Sequence, residues 1–254
     1  MDNDKILKSF ESQDDLNPKI WFIPKEEYMG DPEGQKMKMR PEVRDRLLEI
    51  ADMFFDFLNI DVVVADIIMI GSLTNYNWSE YSDIDLHLVV DYSQFEEKSK
   101  EIFMEFFDLK KIIFNLRHNI TFFGYDVECF VQDEKETTFS SGIYSVLNDE
   151  WINFPKKEKN NKVDISLVKE KSKQWMRIID GVIENINDED PETIKSIIKK
   201  YKEKLKKFRN CGLQKGGEMS VENLVFKLLR RNGYIEKLYE YPTELIDKKL
   251  SMKQ

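Results

Sequence analysis

Residues 70–86 read Ile70-Gly71-Ser72-Leu73-Thr74-Asn75-Tyr76-Asn77-Trp78-Ser79-Glu80-Tyr81-Ser82-Asp83-Ile84-Asp85-Leu86. An apolar run at 62–70 leads straight into Gly71-Ser72. After a ten-residue polar and aromatic loop, Asp83 and Asp85 alternate with Ile84, Leu86, Leu88 and Val90. Both runs read as strands, the second from about 84 to 91, because apolar residues at every other position fit a half-buried pleat. Side chains on a strand repeat with period 2, so Asp83 and Asp85 point the same way, about 7 Å apart at Cα. Two carboxylates on one strand face beside a Gly-Ser turn suit a divalent cation carrying a triphosphate, since Mg²⁺ takes hard oxygen ligands.

The pattern resembles the nucleotidyltransferase superfamily of DNA polymerase beta. Its signature is an apolar residue, Gly, then Gly or Ser, a spacer, and Asp-apolar-Asp/Glu-apolar. Ile70-Gly71-Ser72 and Asp83-Ile84-Asp85-Leu86 match both halves. The family also places a third carboxylate on a later, neighbouring strand. The run Tyr125-Asp126-Val127-Glu128-Cys129-Phe130-Val131 offers Asp126 and Glu128 on one face, and the apolar flanks favour Glu128. The resemblance covers about residues 60–132. Two further segments, Leu16-Asn17-Pro18-Lys19-Ile20-Trp21 and Gly142-Ile143-Tyr144-Ser145, look like uncharacterised, partly phage-encoded relatives and carry no mechanism.

The resemblance implies a Mg²⁺-dependent nucleotidyltransferase moving a nucleoside monophosphate from an NTP, ATP among them, to a hydroxyl. Asp83 and Asp85 would hold two Mg²⁺ ions, and Glu128, or Asp126, one of them. Gly71 and Ser72 would meet the phosphates, His87 the triphosphate or acceptor, and Trp78 a base. The bland readings stand beside these: Asp83 as a turn former, Asp126 and Glu128 as acids on an edge strand, His87 as a structural histidine, and Trp78 as a loop anchor. Asp66 reads as an edge or cross-strand residue.

The chain has 254 residues, 41% hydrophobic and 34% charged, enough for one large or two small domains with real cores. No apolar run approaches the ~20 residues of a membrane helix, and two Cys with two His make neither a disulfide framework nor a zinc site. A reducing, cytoplasmic setting is expected. Net charge is −9, unevenly spread: residues 1–155 hold 15 basic against 32 acidic residues, and 156–254 hold 24 against 16. The basic half could meet an anionic partner such as RNA or DNA, or could be a solvated lysine-rich surface.

The expected class is α+β: a small mixed β-sheet with helices, followed by an all-helical C-terminal domain. Residues 1–39 read as an extended N-terminal arm anchored by Trp21, Phe22 and Ile23. A nucleotidyltransferase domain follows at 40–155, then a basic helical domain at 156–254. Helices are expected from Pro41, over 94–116 with Phe95, Ile102, Phe103, Phe106 and Leu109 inward, and at about 166–187, 191–209, 220–231 and 234–250. Short strands are expected near 119–123 and 125–132. The span 133–165 reads as loop, and Gly212, Gly216 and Gly217 as a turn. On 191–209, Lys195, Lys199, Lys202, Lys206 and Arg209 share one face, the expected nucleic-acid surface.

Overall fold

The computed structural model describes residues 3–24, 37–136, 138, 140–157 and 164–252. The chain divides into two compact units, one of residues 11–158 and one of residues 1–10 with 159–254. Among the described residues there are seven α-helices, a six-stranded mixed sheet and a two-stranded sheet, an α+β architecture.

In the first unit, β1 (Trp21–Phe22) pairs antiparallel with β2 (Lys38–Met39). Then come α2 (Pro41–Leu58), β3 (Val64–Ile70), β4 (Ile84–Val90), α3 (Lys100–Arg117), β5 (Thr121–Phe122), β6 (Tyr125–Asp133), β7 (Ile143–Ser145) and β8 (Glu150–Asn153). The sheet order is β5-β6-β4-β3-β7-β8, and of its pairs only β4 and β6 run parallel. The alternation read from the sequence decides the layers. Ile67 and Met69, Leu86 and Leu88, and Val127 and Cys129 lie on the core face. Against that core packs α2, whose Val43, Leu47, Ile50, Ala51, Phe54 and Leu58 recur at helical spacing and are buried. The helix starts with Pro41 in its first turn and stops at Asn59, which takes the left-handed conformation.

Helix α3 starts later than its apolar spacing suggests. Residues 92–94 and 97–99 form two short 3₁₀ turns before it, leaving Phe95 outside. Its inward side chains are Phe107 and Phe114, with Phe114 4.8 Å from Phe54, while Ile102 and Leu109 point out. Asn115 reaches the sheet: its Nδ2 donates to the Cys129 carbonyl at 3.1 Å and its Oδ1 accepts from the Cys129 N–H at 3.0 Å.

Two expectations are corrected in this unit. Residues 133–165 contain β7 and β8, and β7 pairs with β3 (Ile68 opposite Ser145), so β3 is interior and, of the two readings of Asp66, the cross-strand one holds and the edge one does not. Asp66 instead accepts from the Ser145 hydroxyl at 2.7 Å. Nor are the described residues of the expected N-terminal arm, 3–24 and 37–39, extended away from the body; its residues 25–36 lie outside the described residues. Leu16, Ile20 and Trp21 are fully buried, and the Trp21 indole N–H donates to the Leu73 carbonyl at 2.8 Å. Trp21 also meets Tyr144 edge-on at 4.9 Å. The two segments noted for their phage-type resemblance thus pack on each other.

The second unit comprises α1 (Asn3–Lys8), α4 (Ile165–Asn185), α5 (Pro191–Gly216), α6 (Val221–Arg231) and α7 (Tyr234–Leu250). The caps follow the sequence: Asp164, Asp190 and Ser220 each accept from backbone N–H groups of the first turn. The remainder of the expected arm belongs here, since the Arg231 guanidinium donates to Ser9 Oγ at 2.6 Å and lies over Phe10. Gly212 is not in a turn. It sits inside α5, where a Cβ would come within 2.5 Å of Glu222 Cβ, so the glycine serves close approach of α5 to α6. No described helix is long and apolar enough to cross a membrane.

Candidate active site

The face of the sheet opposite the core carries the acids. Register places Asp85 of β4 between Ile70 of antiparallel β3 and Glu128 of parallel β6. Adjacent strands lie about 4.8 Å apart, so Asp85 and Glu128 are side-by-side neighbours. Asp83 ends the loop one residue before β4, two residues from Asp85 and hence on the same side. Asp126 pairs with Thr121 in the β5–β6 hairpin and is exposed, whereas Glu128 is half-buried. Of the two third-acid candidates, Glu128 is the one set beside Asp85.

Gly71 is the tightest point. Its backbone (φ 92, ψ −162) lies in a region essentially confined to glycine. A Cβ built there would stand 2.1 Å from Asp85 Oδ2, so the Asp85 carboxylate occupies the space that any other side chain would need. The turn is clasped from several sides. Gly71 O accepts from Asn75 Nδ2 at 2.6 Å and from Thr74 Oγ1 at 2.8 Å, and Gly71 N–H donates to Ser140 Oγ at 3.2 Å. Gly142 presses against the same turn: Thr74 Oγ1 is 2.8 Å from its carbonyl, and a Cβ on it would fall 1.9 Å from Thr74 O. Sequence reading did not single out Thr74, Asn75 or Ser140. Their only signal was their polarity beside Gly71 and Gly142, which does not reveal a contact across 65 or more positions.

The Ser72 hydroxyl, expected on a phosphate, donates to Ser82 Oγ at 2.7 Å, and Ser82 Oγ also accepts from Ser79 N–H at 3.0 Å. That pair braces the two ends of the loop. Trp78 serves as an anchor: its indole N–H donates to the Asp15 carbonyl at 2.8 Å and its ring packs against the core. Base stacking by this residue has no support in that placement. Nearby, Gln13 N–H donates to Tyr76 O at 2.6 Å, a second tie between the loop and the N-terminal segment.

His87 shares the strand face of Asp85 but sits one row deeper, stacked on Phe130 at 4.5 Å and 14°. Both ring nitrogens are buried, and neither makes a hydrogen bond of normal geometry. Burial lowers its pKa to about 4; Gln132 is near enough to favour the protonated ring, and Lys111 opposes it. The ring is therefore neutral at pH 7 and adds no cation for a triphosphate. Between about 4 and the unfolded value of ~6.5 the unfolded chain binds the extra proton, so stability is full above pH 6.5 and falls as pH drops toward 4. The loss should approach ~3 kcal/mol. Urea unfolding at pH 4.5, 5.5 and 7 should show this slope, and His87→Leu should flatten it. An unchanged slope in the variant would rule out His87 as its source.

The acids supply hard oxygen donors suited to Mg²⁺, and the space at Gly71 is shaped around one of them. They do not stand as a finished cage: among the described residues no group of three or more His, Cys, Asp or Glu is gathered to hold a metal. Asp83, Asp85 and Glu128 each have other interactions in this structure. The carboxylates would have to converge on an arriving cation. Comparison of the chain with family models, curated proteins and solved structures returns no match.

The cation row on α5 is less open than its spacing suggests. Lys202 lies 3.9 Å from the Tyr239 ring centroid, with its pKa lowered by burial. Arg209 turns to α6, donating to Asn223 Oδ1 at 3.1 Å and stacking on Phe226. Lys195 pairs with Glu192 at 2.8 Å. Two of the five expected phosphate contacts are thus engaged in packing, and the face presented to solvent is Lys195, Lys199 and Lys206.

Proposed function

We propose that this protein is a polymerase-beta-like nucleotidyltransferase, moving a nucleoside monophosphate from an NTP to a hydroxyl acceptor with Mg²⁺. One observation carries the reading: the Asp85 carboxylate fills the space over Gly71 while Glu128 stands next to it in register and Asp83 precedes it on the same side. A purely structural sheet has no need of three acids on one face beside a glycine-only turn, because like charges repel. Mg²⁺, when bound by Asp83, Asp85 and Glu128, would neutralise the phosphates and stabilise charge on the attacking and leaving oxygens. The chain's own part is positioning. The clasp of Thr74, Asn75, Ser140 and Gly142 fixes the turn, and with it the glycine space that the Asp85 carboxylate fills. Glu128 would accept the acceptor's proton, and His87, whose ring nitrogens are buried, would not.

The acceptor reading shifts with α5. A nucleic-acid end needs a row of available cations, and Lys202 and Arg209 are engaged in packing. That favours a protein or small-molecule hydroxyl over RNA or DNA. A catalytically silent nucleotide-binding module is the remaining alternative. The deciding experiment incubates the protein with each α-labelled NTP and Mg²⁺, with and without cellular RNA and protein. Label on an acceptor is expected, tenfold or more lower for Glu128→Gln and less affected for Asp126→Asn. No transfer with any NTP would leave the silent module, and label in RNA would restore the nucleic-acid acceptor.

A further inference from the structure

Helix α3 is apolar on both sides. Its inward face carries Phe107 and Phe114, yet five large aliphatic side chains face solvent: Ile102 at 67% exposure, Leu109 at 60%, Ile112 at 51%, Ile113 at 39% and Leu116 at 81%. At 100° per residue these five fall within about 100° of arc, and they run along about 21 Å of helix. A solvated helix normally turns polar residues outward. Glu105 is exposed in the same arc between Ile102 and Leu109, and the rest of the arc is apolar, which on an exposed helix face is a mark of an interaction surface.

The stripe is matched to itself. Ile102 and Leu116 lie seven residues to either side of Leu109, so an antiparallel copy centred on Leu109 sets Ile102 opposite Leu116 of the second copy, and Leu109 opposite itself. Charge agrees with that direction. In the first half of the helix Glu101, Glu105 and Asp108 outnumber the one cation, Lys100, and Arg117 stands in its last turn. The other two cations of the last half are turned to the protein's own body: Lys110 donates to the Phe57 carbonyl at 2.8 Å, and Lys111 lies over Phe130. Antiparallel pairing brings each acidic half beside the other's Arg117 and opposes the helix dipoles; parallel pairing would set acid against acid.

We propose that α3 is a homodimer contact, its outward face packing antiparallel on the same face of a second copy about a two-fold axis at Leu109. A two-fold contact uses one patch twice, which is the self-complementarity this helix has. The surface is separate from the acid face of the sheet and does not depend on the activity proposed above.

The test is the mass of the full chain in solution by sedimentation and light scattering over a wide concentration range. A dimer is expected, weakened at least tenfold by Leu109→Glu and by Leu116→Glu. Both side chains are mostly in solvent, so circular dichroism should stay that of the parent; two separate variants guard against a single misfolded one. An equimolar mixture of Leu109→Glu and Leu109→Lys should recover the dimer, because the axis sets these positions face to face. In a Cys211→Ser background, Leu109→Cys should join two chains through a short bismaleimide, and Met53→Cys on α2 should not. A parent that stays monomeric, a dimer indifferent to Leu109→Glu, or equal cross-linking from both positions would overturn the proposal.

Discussion

Asp83→Asn and Asp85→Asn should each lower nucleotidyl transfer by about a thousandfold or more while the protein stays folded. The size follows from what the carboxylates are asked to do. Charge stabilisation by a bound metal supplies several kcal/mol to such a transition state, and each ~1.4 kcal/mol is a factor of ten in rate. Asn keeps the shape and one oxygen but halves the donor oxygens and removes the charge. Asp85 should be the more damaging of the two, since it lies between Ile70 and Glu128 in the ladder and against Gly71. Initial rates on an identified acceptor at saturating Mg²⁺, with circular dichroism as control, decide the matter. Turnover within tenfold of the parent in either variant would remove that carboxylate from the metal set.

Gly71→Ala should damage stability and activity together. The backbone at φ 92, ψ −162 costs a residue with a Cβ about 1–3 kcal/mol. On top of this, the new methyl would overlap Asp85 Oδ2 at 2.1 Å, so the carboxylate must leave its place. Asp85→Ala removes the colliding group, so the double variant should lose less stability than the two single losses added. That coupling, read from thermal unfolding of the four proteins, separates the collision from backbone strain, which Asp85→Ala leaves untouched. Strict additivity would mean that the carboxylate does not hold the position described.

The strand–turn–strand at 64–90 was readable because its signals are local: alternation, one glycine, and two acids two residues apart. Pro41 in the first turn of α2 was readable for the same reason. What escaped depends on distant partners. Strands β7 and β8 are three and four residues long, too short for a period to show, and exist because β3 offers them an unpaired side. Trp21 was visible as an anchor, but that it closes a cluster with Tyr144 and Trp151 is a matter of tertiary contact. Gly212 was misread because glycine serves both turns and close helix contacts, and only the neighbouring Glu222 distinguishes them. On α3, apolar residues lie all round the helix, so spacing could not say which arc faces the core. At the acids, the apolar flanks already favoured Glu128 over Asp126, and the parallel register that sets Glu128 beside Asp85 is tertiary and not legible locally.

The Asn115–Cys129 pair has a further consequence. Strand β5 covers only the start of β6, and beyond it the outer rim of the sheet would offer free backbone donors and acceptors to any passing chain. Asn115 caps that rim at Cys129 with one amide, answering both backbone groups from within the molecule. Growth of the sheet by strand addition is blocked at that position.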